Sequence, residues 1–274
     1  MKKQEQALQI ISFNIGGLPR PGSRVAKRYK EACRQLEEWQ PDIINFQEVY
    51  TRWQLKLLMR ALPSFSHVSY VSFFGSVRGG LVTFSKRPLQ ESKFIPWAYH
   101  KNSPTLVKMR SLLKGTLIST DTMQKGVILN THLLANKDGD WSDSNRYHKI
   151  QQSQLSQLSN IVREELSLGK SSYRVILSGD FNVAKDSSLY TGFVKYSGLQ
   201  DTSPQNSSPT FHKEFLPQGR DAHQIDYIFV LPTETVTTTR LLFVSEASIG
   251  EKKLFLSDHM ALLAKVGPRE SRLP

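Results

Sequence analysis

Nine short apolar runs, each about as long as a β-strand, are the feature that most restricts how this chain can fold. They are rich in β-branched and aromatic residues, and several are almost continuously apolar, which is typical of strands buried on both faces. The runs are Leu8–Phe13, Asp42–Phe46, Gly80–Phe84, Leu112–Ile118, Val127–Thr131, Arg174–Leu177, Ile225–Val230, Arg240–Val244 and Met260–Val266.

Amphipathic segments lie between these runs and predict helices. Apolar residues recur at helical spacing in Arg24–Trp39, in Thr51–Leu62, which starts at a Thr cap, and in Asn145–Leu168. Strands and helices therefore alternate over the first two-thirds of the chain, and the last third is mostly strand. Because the sequence has no repeat and no linker-like tract, we expect one mixed α and β domain over residues 1–274, with a core from about residue 8 to residue 267.

The composition fits a folded globular protein with an anionic partner. The chain has 274 residues, 39% of them apolar, and its 36 Lys and Arg against 24 Asp and Glu give a formal net charge of +12. Its one cysteine, Cys33, excludes an intramolecular disulfide, and its place in the first predicted helix favours packing over catalysis. The charge favours nucleic acid, an anionic membrane surface or a phosphorylated substrate, and it does not separate them.

The sequence as given shows no targeting or membrane signal. Its start, MKKQEQALQIISF, has no apolar region of signal-peptide length and no small-residue cleavage site. No run approaches the roughly 18 consecutive apolar residues of a spanning helix. We therefore expect a chain that is cytoplasmic, or soluble as given, with secretion by another route left open. We also expect a monomer.

Ionisable and amide side chains stand at the ends of the apolar runs. A carboxylate or imidazole in such a place is costly to bury unless it is paired or bound to a metal. One such residue alone is best interpreted as a turn former or helix cap. Eight of them at the same kind of position predict one shared site outside the strand ends. They are Asn14, Glu48, His132, Asp180, Asn182, Asp226, Asp258 and His259.

This set of residues has the chemistry of an oxygen-rich metal site. Carboxylates and amides without further cysteines favour Mg²⁺ and also suit Mn²⁺ or Ca²⁺. The two histidines supply a general base and a donor to a phosphoryl oxygen. Together these groups predict metal-assisted attack of water on phosphorus. The nucleophile-elbow, phosphate-loop and zinc-helix motifs are absent from the sequence.

Seven sequence blocks resemble the endonuclease/exonuclease/phosphatase superfamily. In order they are FNIGGLP, NFQEVY, GGLVTFSKRPL, LNTHLLA, LSGDFNVAKDSSLY, QIDYIFV and LSDHMALL, and the candidate site residues within them run from Asn14 to His259. The resemblance implies a deoxyribonuclease I-like fold of the α+β class, a four-layer α/β sandwich in which two packed mixed β-sheets are flanked by helices. It also implies a site at one edge of the sandwich.

The resemblance implies a role for each residue at the strand ends. Asp226 would hold the imidazole of His259, which would be the general base or the electrostatic partner of the scissile phosphate. Asp180 would orient the attacking water or assist the leaving oxygen. Asn182 and His132 would donate hydrogen bonds to a non-bridging phosphoryl oxygen.

The metal ligands and substrate contacts follow from the same resemblance. Glu48 would be the main metal ligand, with Asn14 close to it and Asp258 as a further ligand. The chain looks most similar to the neutral sphingomyelinase-like branch, in which Lys114 of the Lys-Gly pair would contact substrate. Trp141 follows the NTHL block in a polar loop and is a second candidate for substrate binding.

These observations lead to one principal hypothesis and two alternatives. The principal hypothesis is a divalent-metal-dependent phosphodiesterase that cleaves a phospholipid such as sphingomyelin by in-line attack of water. The first alternative is a magnesium-dependent endonuclease or exonuclease, which the net charge favours because phosphate contacts dominate nucleic-acid binding. The second is a phosphomonoesterase that acts on inositol phosphates. Basic stretches at residues 20–30 and 108–114 would follow a nucleic-acid backbone in the first alternative.

Two further segments carry hypotheses about the surface. Phe94, Pro96, Trp97 and Tyr99 are interpreted as a loop whose aromatic and basic composition suits a lipid interface, although packing over a sheet edge is the simpler reading. The polar stretch Leu199–His223 has no periodicity, and we expect it to form a functional rim or lid.

Overall fold

Two six-stranded β-sheets pack face to face in the computed structural model, which describes residues 7–18, 24–99, 113–121, 126–168, 173–203 and 208–269, together with residue 105. The strand order is β13-β16-β1-β2-β6-β3 in the first sheet and β11-β12-β10-β9-β8-β7 in the second. Two small hairpins, β4-β5 and β14-β15, complete the strands. In each large sheet the central pair is parallel, β1 with β2 and β9 with β10, and the other pairs are antiparallel.

The strands of the first sheet and of the two hairpins are short to medium in length. They are β1 Leu8–Asn14, β2 Ile43–Gln47, β3 His67–Ser69, β4 Ser72–Phe73, β5 Ser76–Val77, β6 Val82–Ser85, β13 Glu234–Leu242, β14 Ala247–Ile249, β15 Lys252–Leu254 and β16 Ala261–Arg269. The second sheet contains β7 Leu89–Pro96, β8 Gly115–Asp121, β9 Gly126–His132, β10 Arg174–Asp180, β11 Gln200–Asp201 and β12 Asp226–Val230.

Four helices of two turns or more lie within the described ranges: α1 Val25–Trp39, α2 Arg52–Ala61, α3 His148–Leu168 and α4 Ser188–Ser197. Thr51 caps α2 through a complete capping box with Gln54, so the predicted Thr cap is confirmed. Ser187 caps α4, a helix that the sequence analysis did not predict. None of the described helices is long and apolar enough to cross a membrane.

Three apolar clusters between the layers confirm the expected four-layer α+β sandwich. One joins the first sheet to α1 and α2, and Cys33 is buried in it, as expected. A second joins the other sheet to α3 and α4. The third lies between the two sheets and contains Leu8, Ile10, Ile43, Ile128, Ile176, Ile228 and Val230, together with three residues of β16.

The space between the sheets changes from apolar to polar along the strands. Side chains alternate faces along a strand, so residues two apart share the inner face. Beyond the third cluster, this face carries hydrogen-bonded amides. Asn45 donates to Ser178 Oγ at 2.8 Å, and Gln47 donates to Asn130 Oδ1 at 2.9 Å, each from one sheet to the other. We call Asn45, Gln47, Asn130 and Ser178 the polar layer.

A buried ion pair joins the two sheets at their opposite, apolar end. Arg174 donates two hydrogen bonds to the Glu234 carboxylate, at 3.1 and 2.7 Å, and one to the Gly267 carbonyl at 3.0 Å. The two charged side chains are 3% and 1% exposed. Arg174 begins β10, about 20 Å along the strand from Asp180, so the pair fixes the sandwich away from the predicted site.

Most strand predictions are confirmed within a few residues, and of the interpretations of the aromatic residues around Trp97 the structure supports packing over the sheet. Residues 89–96 form the edge strand β7 rather than a loop. Trp97 is 1% exposed and donates through Nε1 to the His132 carbonyl, and Phe94 is buried, so these aromatic side chains pack over the sheet and cannot form a lipid interface. Parts of the proposed basic stretches, residues 20–23 and 108–112, lie outside the described residues.

We expect Arg174→Ala to lower the free energy of unfolding by about 3–5 kcal/mol, because it leaves Glu234 buried without its guanidinium partner. Arg34 on α1, which is exposed and pairs with Glu31 and Glu38, provides the control. Arg34→Ala should cost less than about 1 kcal/mol. Urea denaturation of the three proteins measures both effects. Equal losses in the two variants would contradict the role of the buried pair.

Candidate active site

The site lies where the carboxyl ends of the two parallel strand pairs meet. Asn14 ends β1 in register with Gln47, the residue before Glu48, and Asp180 ends β10 in register with His132. The antiparallel strand β12 begins at Asp226, directly opposite Asp180. The strand register therefore brings residues that are far apart in sequence to one edge of the sandwich.

His259 is held between two carboxylates. Its Nδ1 lies 2.9 Å from Asp226 Oδ2, and its Nε2 lies 3.7 Å from Asp180 Oδ2. Thr210 donates its hydroxyl to the same Asp226 oxygen at 2.6 Å and accepts the amides of Ile225 and Asp226. This arrangement fixes the imidazole by its Nδ1 atom and directs its Nε2 atom towards Asp180.

Asp180 is the centre of the hydrogen-bond network. Its Oδ2 accepts from Asn14 Nδ2 at 2.9 Å and lies 3.2 Å from His132 Nε2, and its Oδ1 accepts the Asn182 amide at 2.9 Å. The side chain is fully buried. A buried carboxylate with this number of donors is held ionised and in one orientation.

His132 contacts Lys114 as well as Asp180. Lys114 Nζ lies 2.5 Å from His132 Nε2 and donates to the Leu133 carbonyl at 3.0 Å. The Nδ1 atom of His132 is buried and has no hydrogen-bond partner among the described residues. The structure thus places the Lys114 ammonium beside His132, where it also interacts with the Asp180 charge.

The two histidines have opposite charge states. Burial lowers the pKa of His132, and the Lys114 ammonium lowers it further. Burial also opposes a charge on His259, but Asp226 and Asp180 outweigh it and raise its pKa to about 10. Despite burial, the pKa of Asp180 lies well below its usual range because His259 and His132 favour the carboxylate. At neutral pH His259 is therefore a proton donor and Asp180 an acceptor.

Glu48 follows β2 and stands apart from this network. Its backbone has a φ of 65°, which is unusual for a residue other than glycine and costs free energy. The carboxylate is half-buried and makes no hydrogen bond or ion pair with any residue in the described ranges. Asp180, Asp226 and His259 form a group whose ligand atoms lie within 4.8 Å of one another, and Glu48 is outside it.

Asp258 lies next to the loop that follows β1. Its Oδ1 lies 3.2 Å from Ser257 Oγ, and the Ser257 hydroxyl donates to the Asn14 carbonyl at 2.7 Å. Arg28 of α1 connects the same two loops, because its guanidinium donates to the carbonyls of Gly16, at 2.9 Å, and Leu256. Asp258 is half-buried.

Trp141 contacts the site through the backbone of Asn182. Its indole Nε1 donates to the Asn182 carbonyl at 3.0 Å, and Gln151 donates to the same oxygen at 2.7 Å. Asn182 has a φ of 52°, and its Nδ2 donates to the Leu133 carbonyl at 3.1 Å. Trp141 therefore anchors the turn that carries Asn182, and one side of its loop borders a cavity of about 460 Å³.

The sequence analysis missed two positioning residues, Thr210 and Arg28. Thr210 lies in the polar stretch expected to form a rim, and no local pattern distinguishes it from the serines around it. Its neighbour Phe211 packs edge-on against the His259 ring, so part of that stretch does border the site. The helical spacing could have indicated Arg28, because it lies four residues before Ala32 and therefore on the apolar, buried face of α1.

The fold and the site together define a class of protein. The chain belongs to the endonuclease/exonuclease/phosphatase family, whose sequence model matches residues 11–259. This match includes all eight residues at the strand ends that the sequence analysis selected.

Two curated relatives are similar to this chain. It is 26% identical over 282 residues to the “Putative neutral sphingomyelinase” of Drosophila melanogaster, covering 94% of this chain and 60% of the relative. It is 30% identical over 201 residues to the inositol phosphosphingolipids phospholipase C of Schizosaccharomyces pombe, covering 71% of this chain and 45% of the relative. The chain thus spans only about half the length of these relatives.

Solved structures share the fold at low sequence identity. The crystal structure of SmcL has a TM-score of 0.72 and 17% identity, covering 94% of this chain and 98% of that chain. Danio rerio TDP2 in complex with a single-stranded DNA product has a TM-score of 0.72 and 18% identity, covering 96% and 100%. Both likenesses confirm the deoxyribonuclease I-like sandwich.

We expect the His259 ring of the metal-free protein to remain doubly protonated at pH 8, because Asp226 and Asp180 raise its pKa to about 10. The charged ring then stabilises the fold fully below about pH 6.5, and this contribution is lost as the pH rises through about 10. Asp226→Asn should lower the pKa of His259. Nitrogen-15 NMR of the ring measures both proteins, and deprotonation of wild-type His259 between pH 6 and 7 would contradict this prediction.

Proposed function

We propose that this protein is a divalent-metal-dependent phosphodiesterase that hydrolyses a phospholipid, with sphingomyelin as the first candidate. One observation carries the proposal. A charged histidine, His259, lies between two buried carboxylates, and the Glu48 carboxylate, which makes no hydrogen bond or ion pair with any described residue, lies at the same edge of the sandwich. This is a set of groups that can donate to a phosphate, orient water and hold a hard cation.

The donor set fits Mg²⁺. Mg²⁺ usually keeps several waters and is held by one or two carboxylates together with substrate phosphate oxygens. Glu48 is suited to this role because its half-buried carboxylate is otherwise uncompensated among the described residues. Asn14 and Asp258 would complete the site, and Mn²⁺ or Ca²⁺ could replace Mg²⁺ there. When bound, the cation would stabilise negative charge on the phosphate oxygens.

The residues of the site supply the other elements of in-line hydrolysis. Asp180 would accept a hydrogen bond from the attacking water and hold it opposite the leaving oxygen. His259, which is charged and oriented by Asp226, would donate to the phosphate, so the electrostatic role suits this geometry better than the general-base role. Asn182 would contribute its second N–H, since one N–H of the amide already binds the Leu133 carbonyl.

The relatives support a lipid substrate. Both are named for reactions on sphingolipids, and one of them aligns with 94% of this chain. The nuclease alternative rests on the net charge of +12 and on a structural neighbour that was solved with single-stranded DNA. Because 18% identity shows the fold alone, the sequence relatives carry more weight for the choice of substrate.

We expect Glu48→Gln and His259→Ala each to reduce Mg²⁺-dependent release of phosphocholine from sphingomyelin micelles by at least about a thousandfold. Glu251→Gln, which changes an exposed carboxylate in the turn between β14 and β15, should leave the rate unchanged. Circular dichroism checks the fold of each variant. Full activity in either site variant would remove that residue from the site.

The same preparations, assayed with supercoiled plasmid, test the nuclease alternative. Nicking that is lost in His259→Ala, with no lipid turnover in the wild type, would establish a nuclease and overturn the proposal. A nuclease that contacts several phosphates should also lose affinity by about 10³ or more between 50 and 200 mM salt. A zwitterionic headgroup should show little dependence on salt.

We expect Gly17→Ala to weaken Mg²⁺ binding and turnover although it removes no functional group. A Cβ atom on Gly17 would lie 1.7 Å from the Glu48 carbonyl oxygen, so the backbone that carries Glu48 must move. Gly192→Ala in α4 is the matched control, since its Cβ meets no atom within 4 Å and alanine favours helix. Calorimetric titration with Mg²⁺ compares the two variants. A wild-type affinity for Mg²⁺ in Gly17→Ala would contradict the tight packing of Gly17 against the Glu48 backbone.

A further inference from the structure

A short hairpin beside the site carries the most exposed aromatic side chain of the described residues. Strands β4 and β5 are joined by Phe74 and Gly75, and the Phe74 ring is 93% exposed. Phe73 is 44% exposed and contacts Phe74 edge-on, with ring centroids 4.7 Å apart. Tyr70, three residues earlier, is also exposed. The hairpin therefore presents aromatic rings to solvent.

The hairpin turn would be more stable without the Phe74 ring. Phe74 has a φ of 42° and Gly75 a φ of 77°, the combination of a type I′ turn, in which asparagine is strongly preferred at the first position. A bulky residue with positive φ costs free energy. Because the ring is almost fully exposed, it gains no burial in return. The Phe74 side chain is thus unfavourable for folding, and an interaction with a partner outside the chain would account for its presence.

Helix α2 extends this aromatic surface with positive charge. Arg52 donates to Ser72 Oγ at 3.1 Å and joins the helix to the hairpin. Trp53, the next residue, is 56% exposed, and Lys56 and Arg60 are exposed on the same helix. Between Glu48 and Ser85 the sequence has four Lys and Arg, which are Arg52, Lys56, Arg60 and Arg78, and no Asp or Glu. We call Trp53, Tyr70, Phe73 and Phe74, together with Arg52, Lys56, Arg60 and Arg78, the hairpin surface.

The hairpin surface is attached directly to the segment after Glu48. Val77 donates its amide to the Tyr50 carbonyl at 3.0 Å, and Val49 donates to the Gly80 carbonyl at 2.9 Å. Thr51, the cap of α2, forms a β-bridge with Ser76. A partner bound by the hairpin is therefore held next to the residue proposed to bind the cation.

We infer that the hairpin surface is a membrane-docking site, in which Phe73 and Phe74 enter the interface of a bilayer that contains anionic lipid. Aromatic side chains next to Lys and Arg suit this environment, because the aromatic rings enter the acyl boundary and the cations meet lipid phosphates. The inference rests on the proposed function, because docking to a bilayer would serve an enzyme whose substrate is a lipid. Membrane binding itself is measured without turnover, so the two can fail separately.

The decisive variant is Phe74→Asn, which removes the ring and supplies the residue that the turn prefers. We expect its free energy of unfolding to equal or exceed that of the wild type. Its affinity for vesicles of phosphatidylcholine and phosphatidylserine in a 4:1 ratio should nevertheless fall severalfold in a sedimentation assay. The double variant Phe73→Ser/Phe74→Asn should lose at least about tenfold, since two rings no longer leave water.

Tyr196→Ser provides the matched control, because Tyr196 is an exposed aromatic residue on α4, in the other half of the sandwich. It should bind vesicles like the wild type, and all variants should hydrolyse the soluble ester bis(p-nitrophenyl) phosphate at the wild-type rate. Vesicle binding by the wild type without sphingomyelin hydrolysis would support the docking role of the hairpin surface and contradict the proposed lipid substrate.

Three results would overturn the inference. The first is failure of the wild type to sediment with the phosphatidylcholine and phosphatidylserine vesicles, and the second is undiminished affinity of Phe74→Asn for them. The third is a loss of affinity in Tyr196→Ser as large as that in the double variant. Loss of binding to a single-stranded oligonucleotide, with vesicle affinity unchanged in the double variant, would instead assign the rings to base stacking.

Discussion

The polar layer between the sheets is the constraint on which the geometry of the site depends. Apolar contacts alone would hold two sheets together without fixing their relative position to within a hydrogen-bond distance. The pairs Asn45–Ser178 and Gln47–Asn130 provide that precision, because a buried amide without its partner is costly. Each of these residues lies one to three positions before a site residue, so the layer positions Glu48, Asp180 and His132.

The unusual charge states of the site follow from its burial and its enclosure by neighbouring charges. Asp180 and His259 are almost fully removed from water, so each depends on the other for stabilisation of its charge. The same carboxylate has a neutral histidine on its other side, because burial and Lys114 oppose a charge on His132. Two histidines thus perform different tasks in one site, and the surrounding side chains determine which task each performs.

Strand-end residues could be predicted from the sequence because each interrupts an apolar run with a side chain that is costly to bury. Asp180 and His259 are examples, and both are buried in the structure. Thr210 could not be predicted in this way, since its role arises only when a long polar connection returns to Asp226. The sequence left open whether the aromatic residues around Trp97 meet a lipid or pack over the sheet, because composition does not show whether a ring faces water or a neighbouring strand.

The sequence by itself determined the mixed α and β content, the positions of the buried strands and the residues available for chemistry, because periodicity and the cost of burying charge are local properties. Only the tertiary structure decided which of these residues meet and in what charge state. Hydrogen bonds across the sheets join residues more than 80 positions apart, as between Gln47 and Asn130. The exposure of Phe74 is likewise decided by the fold, because solvent accessibility depends on every neighbouring element.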